Sequence, residues 1–510
     1  MTHHVIVQAG GKGTRLEHYC WNKPKCLVPV AGQPMLYKLF DTFPEARFHI
    51  VAEHKADVLE RYLAVFPPRN PARLVTPSGQ GTLGGIAEAV AGLPEGEPFW
   101  LVWSDLVFSA PPPVPDTGRP TVFLSRNFPC RWSASRDETN RWTFTETRSD
   151  QTGVMGLFWF PDKSHLAALP TGGEFVRWLA ETDTPDGFDT SFCDDALELG
   201  TLNSLLNQWD SGATTRFFNR ITYHGPRVVK EAVLPEFAPM LQREADWYEQ
   251  VSALGFTHIP TLLDRNPLTL SRIDGKHPYQ MQWGAKGRRH VLDSILDALG
   301  SLHELQSQPA DRQAMRSVYF DKTLTRLDKV RRLVPELERS RSLKVNGVQV
   351  ANPLYEGGES LLEQAVAELA HDRFTVIHGD PTFSNTLIDD RGAPWFIDPR
   401  GAFAQPGIHG DPNYDWAKVY YSVAGNYDNF NRRQFILTQE GENVDVEIRE
   451  NGWSHLKDVF RERFGADFRS IRILHGLIWL ALSGWVDDDY DSILGAYYNG
   501  LFHLHDALES

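Results

Sequence analysis

Residues 374–400 read FTVIHGDPTFSNTLIDDRGAPWFIDPR, and no other stretch of the chain is as informative about its fold and chemistry. Asp380 follows a His-Gly pair, Asn385 comes five residues later, and Asp398 ends the apolar run WFID. Phosphoryl transfer from ATP needs a carboxylate that orients and deprotonates the attacking hydroxyl. It also needs an amide oxygen and a second carboxylate that hold Mg²⁺ on the phosphates. The spacing therefore predicts the site of an ATP-dependent phosphotransferase.

The length of 510 residues exceeds what one hydrophobic core supports, and at about 150 residues per domain it predicts roughly two to four domains. The hydrophobic fraction of 41% and the charged fraction of 23% are ordinary for a soluble globular protein. The net charge of -15 argues against a general nucleic-acid-binding protein, which needs a basic face. Phosphate ligands remain compatible with this charge because a few local groups bind them.

Several features predict a cytoplasmic protein without a membrane span. The four cysteines are scattered, with no CxxC pair and no zinc-ligand spacing with histidine, so thiols in a reducing compartment are expected. The N-terminal HHVIVQAG leads directly into a strand pattern and lacks the regions of a signal peptide. The apolar stretch 473–486 is too short to cross a bilayer and contains His475, which favours a buried helix.

Short apolar runs alternate with amphipathic stretches over residues 1–105, a pattern typical of a mostly parallel, doubly wound α/β sheet. Strand-forming and aromatic residues over 121–160 favour a β insertion or edge. The polar stretch QWDSGATT at 208–215 indicates the domain boundary. We therefore expect one domain over 1–210 and a second over 211–510.

The second domain changes pattern along its length. A hairpin and a helix are predicted first, and helical periodicity dominates from about residue 290, interrupted by the HGD and IDPR segments. This order predicts a small β-containing lobe over about 211–280 and a mainly helical lobe over about 281–510. Such a two-lobed α+β domain fits a protein-kinase-like layout.

A second nucleotide motif, QAGGKGTRL, occupies residues 8–16 directly after the first predicted strand. Gly10, Gly11 and Gly13 allow a tight turn that presents backbone N–H groups to phosphate. Arg15 adds a bidentate donor for a polyphosphate. A glycine-rich loop alone is often only a turn, so the motifs that follow it matter more.

NKPKCLVPVAGQPML (22–36), QGTLGG (80–85) and WSDL (103–106) follow the loop in that order. Together, these motifs resemble the nucleotidyltransferase family, which includes phosphocholine cytidylyltransferases and sugar-1-phosphate nucleotidyltransferases. The resemblance covers about residues 4–207. It implies a Rossmann-like sheet on which a phosphomonoester oxygen attacks the α-phosphate of a nucleoside triphosphate.

The family's chemistry implies a role for each matching residue. Arg15 would hold the β- and γ-phosphates, and Lys25 would neutralise charge on the α-phosphate and the incoming monoester. Asp105 would bind Mg²⁺ together with Glu198, which stands in LELGT where relatives often have DxGT. The alternatives are a surface lysine, a strand-ending cap and an ordinary acid at the start of a helix. The remaining nucleotide contacts implied are Gly10, Gly11, Gly13, Thr14, Gln80, Gly81 and Thr82.

HGDPTFSN followed by FIDPR resembles the aminoglycoside phosphotransferase and choline kinase family, which has a protein-kinase-like fold. The resemblance covers about residues 216–425. It implies that Asp380 is the catalytic base, Asn385 a metal ligand and Asp398 the principal Mg²⁺ ligand. A buried turn whose polar groups are only structural is the alternative.

The same resemblance requires a lysine on a strand of the small lobe and an acidic partner on the next helix. Lys230 in RVVKEA is the best candidate for the lysine, and Glu244 is preferred to Glu249 as its partner. A solvated lysine and a solvated helix acid are the alternative. SRIDGKHPY at 271–279 resembles the hinge between lobes, where backbone groups would contact adenine.

The acceptor region is expected after the metal aspartate. Asp411 and Asp415 could each bind the alcohol or cap the next helix, and capping is at least as plausible for Asp415. An aromatic cage for a quaternary ammonium would suit choline, although aromatic side chains in a helical lobe are more often core. The aromatic candidates are Tyr414, Trp416, Tyr420, Tyr421 and Trp485.

The two halves together predict a bifunctional enzyme that uses Mg²⁺, ATP and a second nucleoside triphosphate, with CTP favoured by the resemblance. A kinase would phosphorylate choline, ethanolamine, a polyol or a sugar, and a nucleotidyltransferase would activate the phosphomonoester. The product would serve surface-polysaccharide or lipid decoration. A sugar kinase paired with a sugar-1-phosphate nucleotidyltransferase is the rival, and a half that only binds nucleotide and regulates the other is a third possibility. Homo-oligomerisation stays open.

Overall fold

The computed structural model describes residues 4–77, 81–139, 141–182, 187–211, 219–369, 372–441 and 443–509. The chain divides into two compact units. The first comprises Met1–Ala213 and the short segment Asp487–Tyr490, and the second comprises Thr214–Val486 and Asp491–Ser510. Of the stretch predicted to mark the boundary, residues 208–211 belong to a helix, and residues 212–215 lie outside the described residues.

The first unit contains the following strands and α-helices. The strands are β1 (His4–Gln8), β2 (Pro29–Val30), β3 (Gln33–Pro34), β4 (Arg47–Val51), β5 (Ala72–Val75), β6 (Phe99–Trp103), β7 (Leu106–Phe108), β8 (Thr121–Ser125), β9 (Ser133–Arg136), β10 (Trp142–Thr145), β11 (Gly153–Phe160), β12 (Asp189–Phe192) and β13 (Ala196–Glu198). The helices are α1 (Met35–Thr42), α2 (Ala56–Val65), α3 (Gly81–Ala91), α4 (Phe175–Glu181) and α5 (Leu202–Ser211).

The central sheet of this unit is the predicted doubly wound sheet. Strands β5, β4, β1 and β6 are neighbours in that order and pair in parallel. Strand β11 then pairs antiparallel with β6, and β8 to β10 extend this edge, which confirms the additional β structure expected over 121–160. One face packs its Val, Leu and Phe side chains on α3 and α4.

The strand register determines where the functional loops lie. Gln8 at the end of β1 pairs with Val51 on one side and with Trp103 at the end of β6 on the other. The loop after β1 and the residues after β6 therefore leave the sheet at the same edge. This is the carboxyl edge of parallel strands, where α/β sheets bind their ligands.

The second unit contains more elements. The strands are β14 (Asn219–His224), β15 (Arg227–Ala232), β16 (Leu262–Arg265), β17 (Leu268–Ser271), β18 (Gly275–Lys276), β19 (Ser307–Pro309), β20 (Ser342–Val345), β21 (Val348–Ala351), β22 (Arg373–Val376), β23 (Thr386–Asp389), β24 (Pro394–Phe396), β25 (His409–Gly410), β26 (Phe435–Glu440) and β27 (Asn443–Ile448). The helices are α6 (Ala238–Ala253), α7 (Ala285–His303), α8 (Arg312–Arg316), α9 (Lys322–Leu333), α10 (Ser360–Ala367), α11 (Pro412–Val423), α12 (Tyr427–Asn431), α13 (Asp458–Phe464), α14 (Phe468–Trp485) and α15 (Tyr490–Glu509).

The small lobe is built as expected from a sheet and a helix. Strands β14, β15, β17 and β16 form an antiparallel sheet, and α6 packs on it. The helical lobe carries the HGD segment after β22 and the IDPR segment after β24. Helix α14 packs on α9 and α11, and a π-helical turn at Ser317–Asp321 joins α8 to α9.

The helical lobe differs from the expectation in one respect. Strands β21, β20, β27 and β26 form a four-stranded sheet within residues 342–448, where mainly helix was expected. Each strand has four to six residues, and β20 pairs with β27, which lies about 100 positions later in the chain. The local hydrophobic periodicity of the sequence therefore does not predict this sheet. The apolar stretch 473–486 does lie mostly in the buried helix α14. Among the described residues, no helix combines the length and apolar character needed to cross a membrane.

Candidate active sites

The glycine-rich loop of the first unit lies between β1 and a 3₁₀ turn, Thr14–Cys20. Gly13 has a φ of 65°, and a Cβ there would lie 2.6 Å from the Sγ of Cys20. The left-handed backbone and the lack of space both require glycine at this position. The loop therefore keeps Thr14 and the following Arg15 close to the backbone that leaves the sheet.

Lys25 and Asp105 form the central ion pair of this site. The Nζ of Lys25 donates to Asp105 Oδ2 at 2.6 Å, and the aspartate side chain is only 4% exposed. Burial alone would raise the pKa of Asp105, but Lys25 and, further away, Arg15 lower it below its usual value. Asp105 is therefore an ionised, buried carboxylate at neutral pH.

Glu198 approaches the same point from strand β13, which pairs with β7 directly after Asp105. The Arg15 guanidinium donates to Glu198 Oε1 at 3.4 Å. A Cβ at Gly200 would clash with both the Asp105 and the Glu198 carboxylates, so glycine here lets the two acids converge. Burial and the neighbouring Asp105 charge raise the pKa of Glu198.

The carboxylate oxygens of Asp105 and Glu198 fit a divalent cation. Asp105 Oδ1 is buried and has no hydrogen-bond partner among the described residues, which leaves a charged oxygen to be satisfied. No group of three or more His, Cys, Asp or Glu side chains forms a metal cage in the part of the chain that the structure describes. Mg²⁺ does not need one, because it is usually held by one or two carboxylates together with substrate phosphates and waters.

The segment expected to contact the base begins helix α3. Gly81 has a φ of 77°, and a Cβ there would lie 2.6 Å from the carbonyl oxygen of Gly173. The Thr82 hydroxyl accepts from the N–H of Phe175 at 3.0 Å. Both residues therefore tie the start of α3 to the loop before α4. Gln80, the third residue of this prediction, lies outside the described residues.

The second unit brings together the lysine and the acid that the sequence singled out. Lys230 on β15 donates to Glu244 on α6 at 2.5 Å and also pairs with Asp398. Burial would lower the pKa of Lys230, but these two carboxylates raise it above its usual value. The rejected alternative, Glu249, forms an exposed ion pair with Arg265 instead.

Asn385 and Asp398 both follow the HGD segment in the chain. Asp398 has a φ of 60°, a left-handed conformation that aspartate tolerates better than most residues. Asn385, on a 3₁₀ turn at Phe383–Asn385, donates from Nδ2 to Asp380 Oδ2 at 2.9 Å. The side-chain oxygen of Asn385 and the carboxylate of Asp398 are hard donors of the kind that Mg²⁺ prefers, so this pair also fits the ion.

The geometry adds Lys418 from helix α11 to this site. Its Nζ lies 2.9 Å from Asp380 Oδ1; the Lys418 side chain is 14% exposed, whereas that of Asp380 is 37% exposed and lines the cavity. Burial alone would raise the pKa of Asp380, but Lys418, with His378 and Arg400, lowers it. Asp380 is therefore held ionised and ready to accept a hydrogen bond from a hydroxyl.

The two aspartates considered for alcohol binding are both structural. Asp411 caps helix α11 by accepting from the N–H of Asn413 at 2.9 Å, and it accepts from the Tyr319 hydroxyl. Asp415 is fully buried and accepts from the backbone N–H groups of His378 at 2.8 Å and Gly379 at 2.7 Å. Of the two roles considered for Asp415, helix capping was wrong, because Asp415 lies inside α11 and holds the HGD loop through these two hydrogen bonds.

A cavity of about 530 Å³ opens beside Asp380 and Asp398. Three of the five aromatic candidates, Tyr414, Tyr421 and Trp485, line it. The other two candidates do not line it and belong to the core: Trp416 packs on His303 and Phe464, and Tyr420 on Phe460, Phe468 and His475.

Comparison with known families agrees with this geometry. Residues 206–441 match the model described as Phosphotransferase enzyme family, and residues 5–114 match the model described as MobA-like NTP transferase domain. The chain joins an NTP transferase domain to a phosphotransferase domain. The resemblance predicted for each half, and the expectation of a transferase in each, are confirmed.

Individual relatives resemble the NTP transferase domain. The chain is 31% identical over 106 residues to Bifunctional protein GlmU of Stenotrophomonas maltophilia (strain K279a), which covers 20% of this chain and 22% of that protein. The chain thus spans about a fifth of the length of this curated relative. HddC from Yersinia pseudotuberculosis is 19% identical with a TM-score of 0.35, covering 41% of this chain and 98% of that one. The CTP:phosphocholine cytidylyltransferase LicC from Streptococcus pneumoniae is 15% identical with a TM-score of 0.33, covering 41% and 97%.

The phosphotransferase domain also contains cavity residues that the sequence argument missed. They are all basic and come from three separate segments: Lys322 and Arg326 on α9, Arg400 two residues after Asp398, and Lys418 on α11. Arg400 follows Asp398 within the IDPR motif, and that proximity was a usable signal. The sequence gives no such signal for Lys322 and Arg326 on α9, because lysine and arginine are common on solvated helix faces.

Proposed function

We propose that the chain is a bifunctional enzyme that phosphorylates a small alcohol with ATP and then transfers a nucleotidyl group to the resulting phosphomonoester. The main support is that each domain groups a lysine, buried in one site and partly buried in the other, with the carboxylates that its chemistry needs. Lys230 meets Glu244 and Asp398 in the phosphotransferase domain, and Lys25 meets Asp105 in the NTP transferase domain. Mg²⁺, when bound with a nucleotide, would neutralise phosphate oxygens and orient the reacting phosphorus at both sites.

In the first reaction, the acceptor hydroxyl hydrogen-bonds to Asp380 and loses its proton to this carboxylate as its oxygen attacks the γ-phosphorus of ATP. The bond between that phosphorus and the ADP oxygen breaks. Lys230, oriented by Glu244, holds the α- and β-phosphates, and Asn385 and Asp398 would hold the metal. Lys418 keeps Asp380 ionised.

In the second reaction, a phosphomonoester oxygen attacks the α-phosphorus of a nucleoside triphosphate, and pyrophosphate leaves. Lys25 stabilises the charge that develops on the α-phosphate, and Arg15 holds the departing β- and γ-phosphates. Asp105 and Glu198 would hold the metal. CTP is the favoured nucleotide because of the family resemblance.

The product of the first reaction is the substrate of the second, so the two domains fit successive steps. The product would be a nucleotide-activated alcohol or sugar of the kind that donates groups to surface polysaccharides or lipids. ATP and CTP are both abundant in the cytoplasm, where we expect the protein to work.

The test uses the purified full chain with ATP, CTP, Mg²⁺ and a panel of alcohols and sugars, with ADP and pyrophosphate measured separately. Both products are expected with the right acceptor. Asp380→Asn should abolish ADP release yet retain pyrophosphate release from the pre-made phosphomonoester, and Asp105→Asn should show the reverse. Loss of both activities in Asp380→Asn would refute two independent sites. Nucleotide binding by one half without turnover would make that half a regulatory module.

A further inference from the structure

The charged groups around the phosphotransferase cavity do not balance. Three acids line it, and each has a basic partner: Lys230 pairs with Glu244 and Asp398, and Lys418 pairs with Asp380. The cavity is also lined by further basic residues that have no carboxylate within ion-pair distance among the described residues: Arg243, Lys322, Arg326 and Arg400.

Three of these unpaired cations lie close together. Lys322 and Arg326 are four residues apart on α9 and therefore project from the same side of the helix. Arg400 comes from the loop after Asp398, and its guanidinium donates to the Tyr414 hydroxyl at 3.0 Å. Like charges brought together in a cavity repel each other unless an anion lies between them.

The group lies on the side of the catalytic base. Arg400 packs on the HGD segment, because its backbone N–H donates to the His378 carbonyl at 2.9 Å. Its guanidinium binds the hydroxyl of Tyr414, whose ring lies 5.8 Å from the Nζ of Lys418, the partner of Asp380. The acceptor hydroxyl must reach Asp380. The rest of the acceptor therefore lies against these cations.

Three aromatic side chains of the cavity, Tyr414, Tyr421 and Trp485, already face cations of the protein itself. Lys418 Nζ lies 5.8 Å from the ring centre of Tyr414 and 5.4 Å from that of Tyr421. The Arg326 guanidinium lies 5.5 Å from the ring centre of Trp485. A quaternary ammonium would have to compete with these cations for the same ring faces, and it would be repelled by them.

Resting on the proposed phosphotransferase function, we propose that the acceptor alcohol carries an anionic group, a carboxylate or a phosphate, which binds to Lys322, Arg326 and Arg400. The reaction is then ATP plus a hydroxylated anion giving ADP and the phosphorylated anion. The acceptor oxygen forms the new bond to the γ-phosphorus, the bond to ADP breaks, and the hydroxyl proton passes to Asp380 and on to solvent.

The test compares acceptors that differ only in charge. The first series is glycerol, glycerate and glycerol phosphate, and the second is glucose, glucuronate and glucose 6-phosphate. Choline is the cationic acceptor. We expect kcat/KM for ADP release to be about tenfold or more higher for an anion than for its neutral counterpart, since charge-assisted hydrogen bonds are strong. Within each series, the carboxylate and phosphate members distinguish the two sources of the anion. Equal or better turnover of neutral acceptors or choline would overturn the proposal.

Variants test the residues themselves. Arg326→Gln and Lys322→Met should each lower kcat/KM for the anionic acceptor by about 10- to 100-fold, mainly through KM, and change the neutral counterpart much less. Arg326 also donates to the Ala481 carbonyl, whereas Lys322→Met removes no such hydrogen bond, so the second variant guards against misfolding. Arg312→Gln, an exposed substitution on α8, is the matched control. Equal losses for charged and neutral acceptors would refute a role in anion binding.

A binding experiment separates this proposal from the proposed activity. Glycerate and glycerol phosphate are titrated calorimetrically into the full chain without ATP. If no acceptor supports ADP release, the phosphotransferase activity fails. Anion binding that Arg326→Gln abolishes and Arg312→Gln retains would still support the anion site, and the absence of any such binding would overturn it.

Discussion

Lys322 gives the sharpest quantitative prediction. Burial in the cavity wall lowers its pKa to about 6, and the charges of Arg400, Arg326 and Lys418 act in the same direction. The unfolded chain keeps the ordinary lysine value of 10.5. Between these two values the unfolded state binds one more proton than the folded state. Stability therefore rises with pH across this window, and the penalty is largest near and below neutral pH.

Lys322→Met removes the titrating group and with it the penalty. At about pH 7, the pKa of Lys322 in the unfolded chain lies about 3.5 units above the pH. At about 1.4 kcal/mol per unit, the buried lysine therefore lowers the free energy of unfolding by about 5 kcal/mol. At about pH 9.5, the unfolded pKa lies only about one unit above the pH, so the loss in the free energy of unfolding is about 1.4 kcal/mol. Both values depend on the unfolded pKa, because the folded pKa lies below either pH. The variant should therefore gain about 3 kcal/mol more stability at the lower pH.

Scanning calorimetry of the full chain in buffers without phosphate, sulfate or nucleotide measures this gain. At about 2 °C per kcal/mol for a large domain, Lys322→Met should raise Tm by several degrees more at neutral than at alkaline pH. Lys286→Met is the matched control, because Lys286 lies in the first turn of α7 and is exposed. An equal shift at both pH values, or a lower Tm for Lys322→Met, would refute a buried lysine that is neutral at pH 7 in the empty cavity and takes up its proton when an anion binds beside Arg326 and Arg400.

Three further outcomes follow from the two sites. Gly200→Ala should abolish pyrophosphate release and leave ADP release unchanged, since the new methyl group displaces the carboxylates of Asp105 and Glu198; a retained pyrophosphate signal would contradict this. Glu244→Gln should lower kcat for ADP release by about 100-fold or more, whereas Glu249→Gln should stay within about twofold of wild type, and equal effects would show that the lysine's partner is misassigned. Lys418→Met should move the acid limb of the kcat/KM profile up by about one pH unit or more, because Asp380 loses the cation that lowers its pKa. If the acid limb did not move, Lys418 would not be the group that lowers the pKa of Asp380.

The candidate site could be predicted from sequence wherever its residues belong to a motif that is continuous in the chain. Asp380 and Asn385 lie five residues apart on one turn, and backbone geometry alone brings them together. Lys230 and Glu244 lie on a consecutive strand and helix, whose packing is short-range and conventional. The alternation of strands and helices likewise indicated the parallel sheet, because each buried strand is a continuous apolar run.

The rest of the site depends on long-range packing. Lys418 reaches Asp380 because α11 packs beside the HGD segment, and Asp415 holds that segment from the preceding turn of the same helix. Lys322 and Arg326 face the cavity because α9 packs on α14, which begins 146 residues later in the chain (468 − 322). A charged residue on a helix has the same local pattern whether it faces solvent or a cavity, so sequence periodicity does not distinguish the two.

The two sites share one electrostatic arrangement. In each, a lysine that would hold phosphate is paired with an aspartate that would hold metal: Lys25 with Asp105, and Lys230 with Asp398. A buried carboxylate without a partner would be costly, so the lysine stabilises the folded protein before nucleotide arrives. When a nucleotide binds together with Mg²⁺, the lysine gains the phosphate as a partner and the aspartate gains the cation. A nucleotide alone would leave the negatively charged aspartate beside the negatively charged phosphate. Tight binding at either site should therefore require the nucleotide and Mg²⁺ together.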